Sequence, residues 1–297
     1  MKETKRSALG CWIEAMRLRT LPVSLSGVIL AVGLALHDGC FRPLPASLCL
    51  IFALLAQIAS NFANEYYDYR DGLDAPGRQG PRRGVTEGDI TPRAMLLATY
   101  ATLALACAVG CSLLAFGGWW LLPVGIVIAL GAMAYSAGPY PLSRHGLGEA
   151  TVILFFGIVP VTLTYYVQAL TIPAPVLLAG IAAGLMGANV LIINNYRDAD
   201  ADRAVGKRTL CVIIGRRATR LLYLLNSLAA LLLTAPLWTR LPAPALIVPT
   251  LYGAGSIAIW LRIPRLSGHA LTPMLGATSM LMLLCCGGYF IAVASTI

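Results

Sequence analysis

Nine stretches of largely apolar residues recur along this chain, at approximately 21–37, 46–64, 95–114, 118–137, 149–169, 174–196, 217–237, 243–261 and 272–294. A helix of about 20 such residues matches the hydrocarbon thickness of a bilayer. Only 12% of the residues are charged and 58% are hydrophobic, against about 25% charged in a soluble globular protein. Too few charges are present to cover a water-soluble enzyme, and the chain is far too apolar to be disordered. The reading is an all-α polytopic membrane protein, a bundle of nine transmembrane helices forming one intramembrane domain over residues 1–297. The first stretch follows a long basic lead with no small-residue cleavage site, so it is read as an uncleaved first helix.

Basic residues give the orientation. With nine spans, 20 of the 22 Lys and Arg fall on one side and only Arg42 and Arg240 on the other. Lys and Arg collect on the cytoplasmic face, so the N-terminus is expected to be cytoplasmic, in the cell inner membrane. This distribution also accounts for the net charge of +9 through contact with anionic membrane lipid, and no nucleic-acid partner is expected. The eight cysteines form no CxxC pair and read as small buried hydrophobes.

Two cytoplasmic loops, 65–94 and 197–216, are long, and long loops in compact proteins tend to be functional. Each opens on an acidic segment: Asn64-Glu65-Tyr66-Tyr67-Asp68-Tyr69-Arg70-Asp71-Gly72-Leu73-Asp74, and Asn194-Asn195-Tyr196-Arg197-Asp198-Ala199-Asp200-Ala201-Asp202. They contain seven of the chain's 13 acids. Residues four apart share a helix face, which groups Asn64, Asp68 and Asp71 on one helix, with Asp74 about a turn further on. Asn194, Asp198 and Asp202 group on another. Carboxylates so placed repel unless a cation joins them, and hard oxygen ligands suit Mg²⁺ or Ca²⁺. An EF-hand is excluded, because Arg203 and Thr209 stand where Gly and Glu are required.

Cations follow both segments, in Gly80-Pro81-Arg82-Arg83-Gly84 and Gly206-Lys207-Arg208-Thr209. Mg²⁺ takes one or two carboxylates plus substrate phosphates, and Arg pairs bidentately with phosphate. No Walker A loop is present, since Ala201 occupies the place of its first Gly. The pattern fits a diphosphate whose head sits at the cytoplasmic surface and whose apolar tail lies between helices.

At these residues the chain resembles the UbiA superfamily of intramembrane aromatic prenyltransferases, over essentially its whole length. Within it the chain is most similar to the branch whose acceptor is 1,4-dihydroxy-2-naphthoate. Four stretches carry the likeness. One is Arg17-Leu18-Arg19-Thr20-Leu21-Pro22. Another runs from Asn61 through Asp68 to Gly84. The third is Gly146-Leu147-Gly148-Glu149 with Phe155-Phe156-Gly157, and the last runs from Asn194 to Leu210. Glu65 replaces the Asp common after the Asn and preserves its charge. The resemblance implies nine helices and a Mg²⁺-dependent transfer of a polyprenyl group from a polyprenyl diphosphate to the naphthoate. The products would be demethylmenaquinone, diphosphate and CO₂, a step in menaquinone synthesis. Related acceptors, 4-hydroxybenzoate or homogentisate, are the alternative within the family. Secondary transport of an organic anion is the alternative outside it, disfavoured because the acids lie at span ends rather than mid-membrane.

Roles follow as expectations. Asn64, Asp68, Asp74, Asp198 and Asp202 would hold two Mg²⁺ ions. Arg83, Lys207 and Arg208 would neutralise the departing diphosphate. Tyr66, Tyr67, Tyr135 and Tyr196 would shelter an allylic cation, or else anchor the chain at the interface. Arg144 would hold the acceptor's carboxylate or the diphosphate, or serve only as an orientation signal. Asp71 or Asp200 would take a proton from the acceptor. His145, four residues before Glu149, is read as structural.

Overall fold

The computed structural model describes residues 7–74 and 82–297, and every regular element among them is helical. Lys2, Lys5, Arg6, Arg78, Gly80 and Pro81 lie outside the described residues. Eight segments are long and apolar enough to cross a membrane, and a ninth apolar helix, α6 (Leu121–Ala134), has 14 residues. At 1.5 Å per residue α6 is about 21 Å long, shorter than a bilayer's hydrocarbon core.

The first crossing is a short helix α1 (Ala8–Ala15) followed after a break by α2 (Leu21–His37). Then come α3 (Pro43–Arg70), α4 (Pro92–Ser112), the single turn α5 (Leu114–Gly117) and α6. The next crossing joins α7 (Gly148–Val152) to α8 (Val159–Ala169) through a π-helical stretch, Ile153–Ile158. The bundle ends with α9 (Ala174–Ala204), α10 (Leu210–Trp238), α11 (Ile247–Arg262) and α12 (Thr272–Ala294).

Two loop expectations are corrected. Helix α3 continues to Arg70 and α9 to Ala204, so both acidic segments are largely helical. Only residues 205–209 separate α9 from α10. The apolar run ends earlier than the helix does, because beyond the lipid the polar residues keep the backbone ladder and only change what the side chains face. Helix α10 bends at Gly215, whose φ of 80° no residue with a Cβ adopts readily.

Helix α9 is the most buried and packs against α8, α10, α12 and the π stretch. Its Ala179, Gly180, Ala182, Ala183, Gly184, Gly187 and Ala188 are small and buried, and small residues let backbones in lipid approach closely. Leu97, Leu130, Leu232, Ile247, Leu251 and Ile291 are each more than half exposed on the outside of the bundle. A soluble monomer does not carry so large an apolar surface. Cys107 and Cys111 depart from the buried expectation and are exposed on α4.

Candidate active site

The bundle brings the ends of α3 and α9 together. Asp68, on the last turns of α3, is only 2% exposed. Its Oδ2 accepts from the Asn64 amide at 3.1 Å and lies 3.6 Å from Lys207 Nζ, and its Oδ1 lies 3.4 Å from Arg144 Nη2. Lys207 follows α9, so this one carboxylate ties the two acidic segments together. Asp198 is buried and held bidentately by its neighbour Arg197, with both N···O distances 2.7 Å. Arg197 also donates to Asn194 Oδ1 at 2.8 Å. Asp202 accepts from the Thr209 hydroxyl at 3.3 Å. Buried charges are costly unless paired and hydrogen-bonded, and these partners meet that requirement.

Arg83 closes the other flank. Its Nε lies 3.1 Å from Asp74, one Nη donates to Asn64 Oδ1 at 3.3 Å, and the other lies 4.0 Å from Glu65. Glu65, 1% exposed, accepts the Val85 N–H at 3.1 Å and so pins the segment after Arg82 against α3.

Asn64, Arg83, Asp198, Asp202 and Lys207 line the mouth of a cavity of ≈ 880 Å³. From that mouth the wall turns apolar, through Phe52, Cys49, Leu121, Phe155 and Leu163. Cys49 lies 15 residues before Asn64 on α3, so the cavity runs about 20 Å along the bundle. Among the described residues no three His, Cys, Asp or Glu side chains form a ready-made metal cage. Separate carboxylates at one mouth suit a hard cation whose shell is completed by phosphate oxygens and water.

A charged mouth above a long apolar shaft fits a lipid diphosphate, and comparison with known proteins agrees. The model of the UbiA prenyltransferase family matches residues 25–270. The chain belongs to the UbiA prenyltransferase family. The 1,4-dihydroxy-2-naphthoate octaprenyltransferase of Escherichia coli (strain K12) is 40% identical, over 72% of this chain and 72% of its own. The enzyme of that name from Haemophilus influenzae is 34% identical, over 80% and 82%. A UbiA homolog from Archaeoglobus fulgidus, solved with DMAPP and Mg²⁺, has the same fold. Its TM-score is 0.65 at 19% identity, covering 97% of this chain and all of that one.

In this UbiA-type site the residues expected from sequence divide into two groups. Asn64, Arg83, Asp198, Asp202, Lys207 and Tyr135 line the cavity, which Asp68 reaches through its contacts with Asn64 and Lys207. Asp74 touches it through Arg83. The remaining expected residues lie outside the wall, for physical reasons. Tyr66 packs with Trp12 and Phe62 in a cluster behind α3. Tyr67 carries Arg70 on its ring and meets the Tyr100 hydroxyl at 3.3 Å. Tyr196 packs on the main core with Arg216 over its face. Of the four tyrosines expected to shelter a cation, only Tyr135 lines the cavity, where it shares the wall with Phe155 and Phe156.

The two expected proton acceptors also lie off the wall. Asp200 is 69% exposed and bonded to Arg216 at 3.0 Å. Asp71 is held by Arg70 at 2.7 Å and Arg144 at 2.6 Å. The Arg70 hydrogen bond, with help from Arg144 and against the effect of burial, keeps the Asp71 carboxyl below its usual range. Arg144 thus serves as a brace between Asp68 and Asp71, and it also accepts the Arg208 N–H on its carbonyl at 3.0 Å. The Arg208 side chain is exposed and off the cavity wall. His145 stacks on Tyr140 with ring centroids 3.7 Å apart, and its Nδ1 lies 2.8 Å from the Pro141 carbonyl oxygen.

Sequence reasoning assigned no site role to Arg17, Glu65, Asn195 or Arg197. Arg17 donates to Asn64 Oδ1 at 2.7 Å, and Asn195 donates to buried Glu149 at 2.8 Å. All except Glu65 and Glu149 line the cavity. The signal for Arg17 and Arg197 was present, since both stand inside stretches that carry the family likeness.

Proposed function

We propose that this chain transfers a polyprenyl group from a polyprenyl diphosphate to 1,4-dihydroxy-2-naphthoate, releasing diphosphate and CO₂, in menaquinone synthesis. The observation that carries this reading is the cavity, with paired acids and cations at the mouth and an apolar shaft beneath. The acceptor follows from the relatives, which are 34–40% identical across most of the chain and share that activity by name.

In net terms the prenyl group replaces the carboxylate on the ring. The allylic C–O bond breaks with its electron pair going to diphosphate, and a C–C bond forms to the ring. The carboxylate leaves as CO₂ and returns its electrons to the ring. The immediate product is the quinol, whose oxidation gives demethylmenaquinone. With an ionised carboxylate the exchange leaves no net proton on the protein, so a base on the cavity wall is not required for balance.

Asn64, Asp68, Asp198 and Asp202, with Asp74 behind Arg83, would hold two Mg²⁺ ions. When bound, these supply positive charge to the diphosphate oxygens. Arg83 and Lys207 at the mouth add fixed charge where the leaving group accumulates it. The shaft excludes the water that would trap an allylic cation, and the faces of Tyr135 and Phe155 favour positive charge. The mouth is assigned to the cytoplasmic side of the inner membrane, because the end of the bundle that carries it holds nearly all the Lys and Arg.

The test is purified protein with labelled polyprenyl diphosphate, Mg²⁺ and a panel of aromatic acids. Prenylation of the naphthoate is expected. Prenylation of 4-hydroxybenzoate alone would move the chain to another branch, and activity unchanged by EDTA would remove the metal.

A further inference from the structure

Arg17 sits in the break between α1 and α2 with φ 53° and ψ 57°, one of two residues other than glycine with positive φ among those described. Such a left-handed residue is strained, persists only where its surroundings over-determine it, and clusters at functional sites. The surroundings are visible. The Arg17 N–H donates to Glu14 O at 3.0 Å, and its carbonyl accepts the Thr20 N–H and hydroxyl at 2.8 and 2.9 Å. This geometry sends the guanidinium to the mouth of the cavity, where it meets Asn64.

From Arg17 a strip of uncharged polar groups descends the cavity wall. Thr20 and Ser24 follow at helical spacing on one side, and Asn61 and Gln57 on α3 face them. They bond to one another: Ser24 Oγ to Gln57 Oε1 at 3.0 Å, and Gln57 Nε2 to Asn61 Oδ1 at 3.2 Å and to Thr20 Oγ1 at 3.4 Å. Arg17 to Ser24 spans about 10 Å of helix rise, the size of a fused two-ring aromatic. A prenyl tail is wholly apolar and gains nothing from this strip. An aromatic acid with one carboxylate and two ring hydroxyls needs one cation and neutral hydrogen-bonding groups beside it.

We propose that Arg17 anchors the carboxylate of the aromatic acceptor, with the ring hydroxyls against Thr20, Ser24, Asn61 and Gln57. This replaces Arg144, which is braced between Asp68 and Asp71 off the cavity wall. The strained backbone aims the fork of the guanidinium at a planar carboxylate, a pairing that Lys cannot copy. The inference rests on the naphthoate reading above.

The experiment measures equilibrium binding of 1,4-dihydroxy-2-naphthoate and of 1,4-dihydroxynaphthalene, which lacks the carboxylate, to the full-length protein in detergent. Arg17→Gln is expected to weaken the naphthoate by about 10- to 100-fold, the range for losing a charge-assisted hydrogen bond. It should leave the carboxylate-free compound, and the KM for the prenyl diphosphate, within about twofold. Arg17→Lys should fall between. Arg17→Gly relaxes the strained backbone, keeps the fold and should still lose the naphthoate. Equal losses for both aromatics, or naphthoate binding retained in either Arg17→Gln or Arg17→Gly, would overturn the assignment. If the wild-type protein fails to prenylate the naphthoate, the functional reading falls instead, and that control separates the two failures.

Discussion

Gly157 and Gly184 meet backbone to backbone, where the π-helical stretch crosses α9. A Cβ on Gly157 would collide with the main chain of Gly184, and one on Gly184 would lie 2.5 Å from the Ile153 carbonyl oxygen. The close approach brings Phe155 and Phe156 onto the cavity wall. Overpacking in a well-filled interior costs typically 1–3 kcal/mol, and here no flexible side chain can yield. Gly157→Ala is expected to cost about 3 kcal/mol or more, read as an earlier loss of folded protein on heating in detergent. Gly276→Ala, with open space around it, is the matched control and should unfold like the wild type.

Asp68 accepts three partners from three parts of the chain, Asn64, Arg144 and Lys207. Asp68→Asn keeps the size and removes the charge. Turnover should fall by at least about 100-fold, as when a group aimed at developing charge is lost. Helicity and elution volume should be unchanged. Asp198→Asn should behave alike. Near-normal turnover in either variant would contradict the site.

The Asp71 carboxyl is held below its usual range by Arg70 and Arg144. A depressed value stabilises the fold above the unfolded Asp pKa of about 3.9 and is lost as pH falls through the folded value. With a quarter of the side chain exposed, the contribution at neutral pH is small, about 0–1 kcal/mol. The difference in unfolding midpoint between wild type and Asp71→Asn should be constant above about pH 5. It should shrink only below pH 4 or so. A difference that instead grew on acidification would reverse the sign.

Much of this was legible because lipid constrains a chain so strongly. The nine apolar runs had to be helices, and the sparse charges had to gather at helix ends. Asp68 and Asp198 stood out because two matched segments, each opening on an Asn, hold seven of the chain's 13 acids. The tyrosines were not separable in this way. Tyr66, Tyr67, Tyr135 and Tyr196 all sit near one membrane surface, and only the rotation of each helix decides which face meets the cavity. That rotation depends on contacts such as Gly157 with Gly184, which no spacing rule reveals. Arg17 was hidden differently. Its role depends on a left-handed backbone conformation, and a sequence advertises that only at glycine.

Lys207 Nζ lies 3.6 Å from Asp68 Oδ2, where a divalent cation would compete with it for the carboxylate. Each cation weakens the other's hold on Asp68, and coupling of this kind is reciprocal. A departing diphosphate offers Lys207 another anion, so substrate binding should free Asp68 for metal. Lys207→Met tests this by titration calorimetry with Mg²⁺, with and without inorganic diphosphate. Without diphosphate the variant should bind Mg²⁺ several-fold more tightly than wild type, because its competitor is gone. With diphosphate the wild type should gain more than the variant does, and the variant's own affinity for diphosphate should drop by about tenfold, one lost charge-assisted contact. A wild-type Mg²⁺ isotherm in the variant without diphosphate would show that Lys207 does not compete for Asp68 at all.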